Sequence, residues 1–284
     1  MRAADTRFGQ QKNGQRIGCV VVHRGECRRG GIIINEFSYG GAVNKVQAGK
    51  KRLWLRRMLW LPVFALAFPV VQVLALRVID PPLSSFMLIR QMDAWRAGDW
   101  RFRFAYDWRD LQDISPHLPV AVIAAEDQLF AEHSGFDRGA IEKAMQTNQQ
   151  GKRIRGGSTI SQQMAKNLFL WRGSGWSRWL RKALEAYYTF WMELFWPKTR
   201  ILEMYVNVAE FGDGVYGAQA AARTYYRKDT VALQPAEAAR MAAVLPNPKR
   251  YSIANPGPYV QRRARAIQRQ MGNIGGKAYL EKLQ

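Results

Sequence analysis

The chain has 284 residues, of which 48% are hydrophobic and 12% aromatic, so it carries enough apolar material to bury one large core or two modest ones. This argues against disorder throughout the chain. Lys and Arg total 43 against 22 Asp and Glu, and the net charge of +21 indicates a polyanionic partner: nucleic acid, anionic lipid head groups or a pyrophosphate. Cys19 and Cys27, with His23 between them, are too few ligands for a zinc site and supply no disulfide framework.

Residues 1–57 form a basic N-terminal region that is rich in Gly, Arg and Gln. No hydrophobic period is sustained in this region, and only residues 21–37 could supply a short strand. We therefore predict a largely flexible tail on the cytoplasmic side of a membrane.

An uncharged apolar segment follows, from Met58 to Leu76. As an α-helix, its ~19 residues approach the hydrocarbon thickness of roughly 30 Å. The alternative is a cleaved signal peptide, but such a peptide has a shorter apolar region and a small-residue cleavage site, which this segment lacks. Because the flanking positive charges precede it, we predict one transmembrane helix over 58–76 and an extracytoplasmic domain over 77–284.

Helical periodicity dominates the rest of the chain. An amphipathic stretch from Phe86 to Trp95 could lie along the membrane surface. The apolar spacing then predicts helices over Pro119–Glu132, Ser158–Leu170, Trp179–Trp196, Lys198–Glu210, Gly217–Tyr226, Pro235–Leu245 and Tyr259–Met271. Alternation typical of strands is brief, so we predict a mainly α domain.

Glu126 and Asp127 end a run of small apolar residues. A carboxylate in that setting loses solvent, which raises its pKa toward the range that a general base needs at neutral pH. The alternative is that either residue only caps or solvates the helix.

Two glycines, Ser158 and Thr159 immediately precede an apolar helix. The first N–H groups of a helix lack partners, so such a start can bind an anion, and Lys166 with Arg153 and Arg155 adds positive charge. This pattern suits a phosphate or pyrophosphate, although alone it also fits an ordinary capped helix.

Arg181, Lys182 and Glu185 share one helix face by their spacing. They could be a surface salt-bridge cluster. If the face lines a cleft, the two cations can neutralise phosphate while Glu185 orients them or stabilises charge.

An aromatic segment around residues 168–180 surrounds a Gly-Ser-Gly turn with several arginines, which favours insertion into a membrane interface over burial in a core. Its large side chains are Phe169, Leu170, Trp171, Trp176, Trp179 and Leu180.

Taken in order, these motifs resemble those of peptidoglycan glycosyltransferases, a family that includes the glycosyltransferase half of bifunctional penicillin-binding proteins. The resemblance runs from about Pro119 to about Pro256. It rests on four patterns: Glu126-Asp-x-x-Phe-x-x-His-x-Gly-Phe-Asp, Gly156-Gly-Ser-Thr-Ile-Ser-Gln-Gln-x-x-Lys-Asn, Arg181-Lys-x-x-Glu185 and Lys198-x-x-Ile-Leu-Glu-x-Tyr-x-Asn207. It implies a lysozyme-like large lobe with a small membrane-associated jaw lobe formed around residues 168–180, in a bacterial inner membrane with the catalytic domain in the periplasm.

The resemblance also implies roles for single residues. Glu126 would be the general base and Glu185 a second carboxylate with a positioning or charge-stabilising role. Five residues would bind lipid II and its pyrophosphate: Ser158, Lys166, Arg172, Arg181 and Lys182. The 4-hydroxyl of an incoming lipid II would attack the anomeric carbon of the growing strand with inversion and expel undecaprenyl pyrophosphate.

The resemblance sets the expected partners as well. These are lipid II, the growing glycan strand and membrane lipids, with cell-wall synthesis or division proteins as further candidates and no nucleic acid. No cofactor is required, although Mg or Mn at the pyrophosphate is an option, and the sequence identifies no metal ligands. The chain contains no transpeptidase motifs. The competing interpretations are a lytic enzyme of lysozyme-like fold and a non-enzymatic membrane-anchored scaffold.

Overall fold

The computed structural model describes residues 58, 60–139, 141–142, 157–173 and 175–283. Several predictions fall outside these residues: the flexible tail over 1–57, the short strand within 21–37, and the contribution of Arg153 and Arg155 to an anion site.

Helices make up most of the described structure. Residues 60–76 form α1. The others are α2 (Ser85–Arg96), α3 (His117–Glu126), α4 (Ile160–Phe169), α5 (Ser177–Phe195), α6 (Lys198–Val208), α7 (Ala218–Tyr226), α8 (Pro235–Val244) and α9 (Pro258–Asn273), with 3₁₀ turns at Leu111–Asp113, Thr230–Ala232 and Gly276–Leu283. The predicted mainly α domain is confirmed, and the architecture is consistent with a lysozyme-like fold.

The α3 helix is the centre of the core. Its residues 118–124 are all buried, and it packs against α6, α8 and α9. An α-helix that is apolar on every side is stable only when other elements surround it, and this explains the absence of a polar face. The prediction that this helix continues to residue 132 is wrong, because Asp127 leaves the helical conformation and its side chain accepts from the Ile160 N–H at the start of α4.

A second group of helices, α4, α5 and α6, packs together beside α3. Thr159 caps α4 in a capping box with Gln162, and its hydroxyl donates to the carbonyl of Gly135 at 2.7 Å. This bond fixes the start of α4 to the loop that follows α3, so the two predicted catalytic motifs are held side by side.

A small sheet, absent from the sequence prediction, closes one edge of the domain. It has the order β1 (Ala105–Tyr106), β3 (Val215–Tyr216), β2 (Glu210–Gly212), with β1 parallel and β2 antiparallel to β3. Gly217 follows β3 with a φ of +82°, and a Cβ there would lie 2.6 Å from the carbonyl oxygen of Asn207. Only glycine fits that approach without strain.

The α1 helix lies against α5 and α6 from Leu66 to its C-terminal end. Pro69 and Val73 are buried on one side, whereas Trp60, Phe64 and Phe68 are exposed. Side chains of the domain bond directly to this helix, as described below. None of the helices in the described part of the chain combines the length and apolar character needed to cross a membrane.

Candidate active site

Glu126 is the last residue of α3, and its side chain is 12% exposed. Gln163 donates to one carboxylate oxygen at 2.9 Å, and Arg263 donates to the other at 2.9 Å. Burial raises the pKa of this carboxyl above its usual range, while Gln163, Arg263 and Lys166 act in the opposite direction. The structure thus gives the predicted base the desolvated setting that the sequence indicated.

Gln163 is itself held by Tyr205, a fully buried residue of α6. The Tyr205 hydroxyl donates to Gln163 Oε1 at 3.0 Å, which leaves the amide nitrogen to face Glu126. A chain of hydrogen bonds therefore runs from α6 through α4 to the end of α3 and fixes the orientation of the carboxylate.

Asp127 has a different role from its neighbour. It accepts from the backbone N–H of Ile160 at 3.0 Å and lies 2.8 Å from His133 Nε2. Because Gly135 N–H donates to His133 Nδ1 at 3.1 Å, Nε2 carries the hydrogen in the neutral ring and donates to Asp127. Both carboxylate oxygens are occupied, so Asp127 joins the loop after α3 to the start of α4.

Glu185 is buried on α5 between two cations. Arg181 Nη1 lies 3.3 Å from its Oε2, and Lys182 Nζ contacts its Oε1. Lys182 Nζ also lies 3.5 Å from the Ser158 hydroxyl at the start of α4. The predicted helix face thus lines the same region as the predicted anion-binding turn, and the simple surface salt-bridge interpretation does not hold because Glu185 is 3% exposed.

Lys166 interacts electrostatically with both carboxylates, Glu126 and Glu185. Its pKa is lowered by burial and by the positive charges of Arg181 and Lys182, while Glu185 and Glu126 raise it. In the described ranges its ammonium group has no hydrogen bond or ion pair. Arg181 Nε is likewise buried without a hydrogen-bond partner there. Lys166 is therefore a cation that an anionic ligand can pair with.

Arg172 stands apart from this cluster. Its guanidinium donates to Glu210 at 3.2 Å and lies 5.1 Å from the centre of the Phe86 ring. It shares with Lys166 a cavity of about 360 Å³, which Gln163 also lines. The structure therefore brings together Ser158, Lys166, Arg181, Lys182 and Glu185, and it places Arg172 across this cavity.

A second cavity of about 320 Å³ is lined by Glu126 and not by Gln163. Glu126, Asp127 and Ser158 line it, together with Leu129 and Asp137. Glu126 is thus reached from one cavity while its partner Gln163 lines the other, an arrangement that suits a base between two substrate molecules.

The aromatic segment divides into buried and exposed parts. Leu170 is buried, and the ring of Phe169 stacks on Tyr188 at 4.2 Å between centroids, so these two belong to the core rather than to a membrane-facing surface. Trp176 and Trp179 are 81% and 71% exposed, and Leu180 is exposed beside them. Within this segment, the strongly exposed apolar side chains therefore lie at the start of α5.

No group of three or more His, Cys, Asp or Glu side chains in the described part of the chain is arranged to hold a metal ion.

Sequence reasoning missed two contacts of Glu126. Gln163 lies inside a quoted motif but received no role, and Arg263 lies in no motif. A signal for Arg263 was present: on α9 the buried positions are Val260, Ile267 and Met271, and Arg263 falls on the same face at helical spacing. Burying a charged side chain on an apolar helix face is costly unless an opposite charge pairs with it, so a partner for Arg263 could have been expected.

Comparison with known proteins identifies the family. The family model described as Transglycosylase matches residues 99–272, more than half of the chain. The chain belongs to this family. It is 57% identical over 232 residues to a protein of Xanthomonas euvesicatoria pv. vesicatoria named biosynthetic peptidoglycan transglycosylase, which covers 82% of this chain and 92% of that protein. It is 53% identical over 228 residues to a protein of the same name from Xylella fastidiosa, covering 80% and 93%. The predicted family and the predicted enzyme class are confirmed.

Proposed function

We propose that this chain is a peptidoglycan glycosyltransferase that polymerises lipid II into β-1,4-linked glycan strands in the cell envelope and releases undecaprenyl pyrophosphate. One observation supports this above others: a buried carboxylate, Glu126, lies beside a cluster of cations with unused donors. A polymerase that transfers a sugar from a pyrophosphate needs both features in one cleft.

The chemistry follows from these positions. Glu126 takes the proton of the attacking sugar hydroxyl, because its desolvated carboxylate is a stronger base than an exposed one. The pyrophosphate leaves without being protonated, since Lys166 and Arg181 stabilise its growing charge with preorganised donors. Ser158 and Lys182 complete the anion site, and Glu185 holds Arg181 and Lys182 in place.

Arg172 extends the substrate site into the cavity of about 360 Å³ that Gln163 and Lys166 also line. Its bond to Glu210 leaves other guanidinium hydrogens for a phosphate oxygen. Arg172 would therefore bind a second, more distant part of the lipid-linked substrate than Arg181 does.

The same cations favour this function over its two rivals. A lytic enzyme cleaves a glycosidic bond between sugars and expels no pyrophosphate, so Lys166 and Arg181 would have no charge to neutralise. A scaffold has no need of a desolvated Glu126, whose burial disfavours the ionised form.

We also propose that the chain is anchored in the inner membrane with this domain in the periplasm. The exposed apolar side chains of α1 and the pair Trp176 and Trp179 would contact lipid. This gives the domain access to a substrate whose polyprenyl chain stays in the bilayer.

The test is polymerisation of labelled lipid II by the full chain in detergent, with products separated by gel. Glu126→Gln should abolish strand formation, because an amide cannot accept the proton. Glu132→Gln is the matched control, since Glu132 lies six residues further along, in the loop after α3, and is exposed. Wild-type protein that makes no polymer but cleaves preformed strands would refute the proposal in favour of the lytic enzyme.

A further inference from the structure

Arg263 touches the proposed base from a distant part of the chain. It lies on α9, 137 positions from Glu126, and its Nη2 donates to Glu126 Oε1 at 2.9 Å. The same nitrogen lies 3.4 Å from the carbonyl oxygen of Ala125. Arg263 therefore contacts both the side chain and the backbone at the end of α3.

The two oxygens of Glu126 have unlike partners. Oε1 faces the positive charge of Arg263, whereas Oε2 accepts from the neutral amide of Gln163, which Tyr205 holds in place. With a donor on each oxygen, rotation of the carboxylate would break at least one bond. The rotamer is thus fixed with the carboxylate at the wall of the cavity that Ser158 lines.

Arg263 occupies this position although one of its own donors is unused. Its Nε is buried and has no hydrogen-bond partner in the described residues. Burying an unpaired N–H is unfavourable, so hydrogen bonding of the guanidinium alone does not explain its place. Its one ion pair there is with Glu126.

We propose that Arg263 is a positioning residue that keeps the Glu126 carboxylate ionised and aimed into the cleft, and thereby sets the lower limit of the pH range in which the enzyme works. This inference rests on the proposed role of Glu126 as the base.

The charges around Glu126 give the direction of the effect. Arg263 approaches from α9, Lys166 from α4 and Tyr205 from α6, and Asp127 with its partner His133 follows in the chain. Burial raises the pKa of Glu126, and the two cations lower it. Removal of Arg263 deletes the cation in direct contact, so the pKa rises further and more of the base is protonated at any given pH.

The experiment is the pH profile of kcat/KM for lipid II polymerisation by the full chain in detergent, with Arg263→Gln compared to Arg262→Gln. Both substitutions remove one positive charge, but Arg262 is exposed. For Arg263→Gln we expect the acidic limb to move upward by about one pH unit, as is usual when an ion-pair partner is lost, with activity recovering at high pH. The Arg262→Gln profile should match wild type.

Three outcomes separate the possibilities. If Arg263→Gln lowers activity by one factor at every pH, Arg263 is only structural and the inference fails. If Glu126→Gln keeps activity, the base assignment itself fails. If Arg263→Gln does not fold, Arg263→Ala is assayed with and without millimolar guanidinium: return of the limb toward wild type supports the inference, and no response overturns it.

Discussion

Asp127 gives the sharpest stability prediction. Its carboxylate accepts from the Ile160 N–H at 3.0 Å and from His133 at 2.8 Å, and its side chain is 2% exposed. Hydrogen bonds to a charged group contribute about 1.5–3 kcal/mol each. Asp127→Ala removes both and leaves two donors unpaired, so we expect the free energy of unfolding to fall by about 3–6 kcal/mol.

For a domain of this size, about 1 kcal/mol corresponds to about 2–4 °C in Tm, so the melting temperature should fall by roughly 10 °C. The assay is thermal unfolding of the detergent-solubilised protein followed by circular dichroism. Asp93→Ala is the control, because Asp93 is exposed and its contact to Arg96 spans 3.6 Å; it should leave Tm nearly unchanged. A loss of under about 1 kcal/mol in Asp127→Ala would refute the view that this carboxylate joins α3 to α4.

Three further predictions follow. Gly217→Ala should destabilise the fold by about 2 kcal/mol or more in chemical denaturation, because its φ is +82° and the added Cβ meets a backbone carbonyl at 2.6 Å; an unchanged midpoint would contradict the strain argument. Lys166→Met should slow lipid II polymerisation about 100-fold in a gel assay, as for loss of a preorganised charge donor, and a loss below fivefold would remove Lys166 from the anion site. In the Trp176→Ser, Trp179→Ser double variant of the full chain, quenching of tryptophan fluorescence by brominated lipids in proteoliposomes should be weaker than in the wild type, and unchanged quenching would exclude the start of α5 as a lipid contact.

Local motifs explain why most of the site could be predicted. Arg181, Lys182 and Glu185 lie within five residues, so helical spacing alone puts them on one face. Ser158 and Lys166 share α4 and its capping turn. Short-range helix geometry fixes the relative positions of the residues within each group. Only the tertiary fold brings the two groups together in one cleft.

The missed features depend on contacts between distant segments. Arg263 meets Glu126 across 137 positions, and β1 pairs with β3 through strands of two residues, too short for any pattern. The end of α3 was also misplaced, because the residues after Glu126 have acceptable helix propensity and the tertiary hydrogen bond from the Ile160 N–H to Asp127 overrides it. Leu170 was assigned to the membrane surface by composition, whereas packing places it in the core.

The hydrogen bonds between α1 and the rest of the domain affect the direction in which a new glycan strand would leave the cleft. Tyr187 donates to the Leu66 carbonyl at 2.8 Å, Trp196 to the Val73 carbonyl at 2.7 Å and Arg200 to the Leu76 carbonyl at 3.1 Å. These bonds hold α1 at three successive levels, so it cannot act as a loose tether. If α1 contacts the lipid as proposed, its tilt would set the height and angle of the cleft above the membrane. Each new strand would then emerge along a set direction relative to the membrane plane, and bilayer thickness, which controls helix tilt, would steer the direction of wall growth.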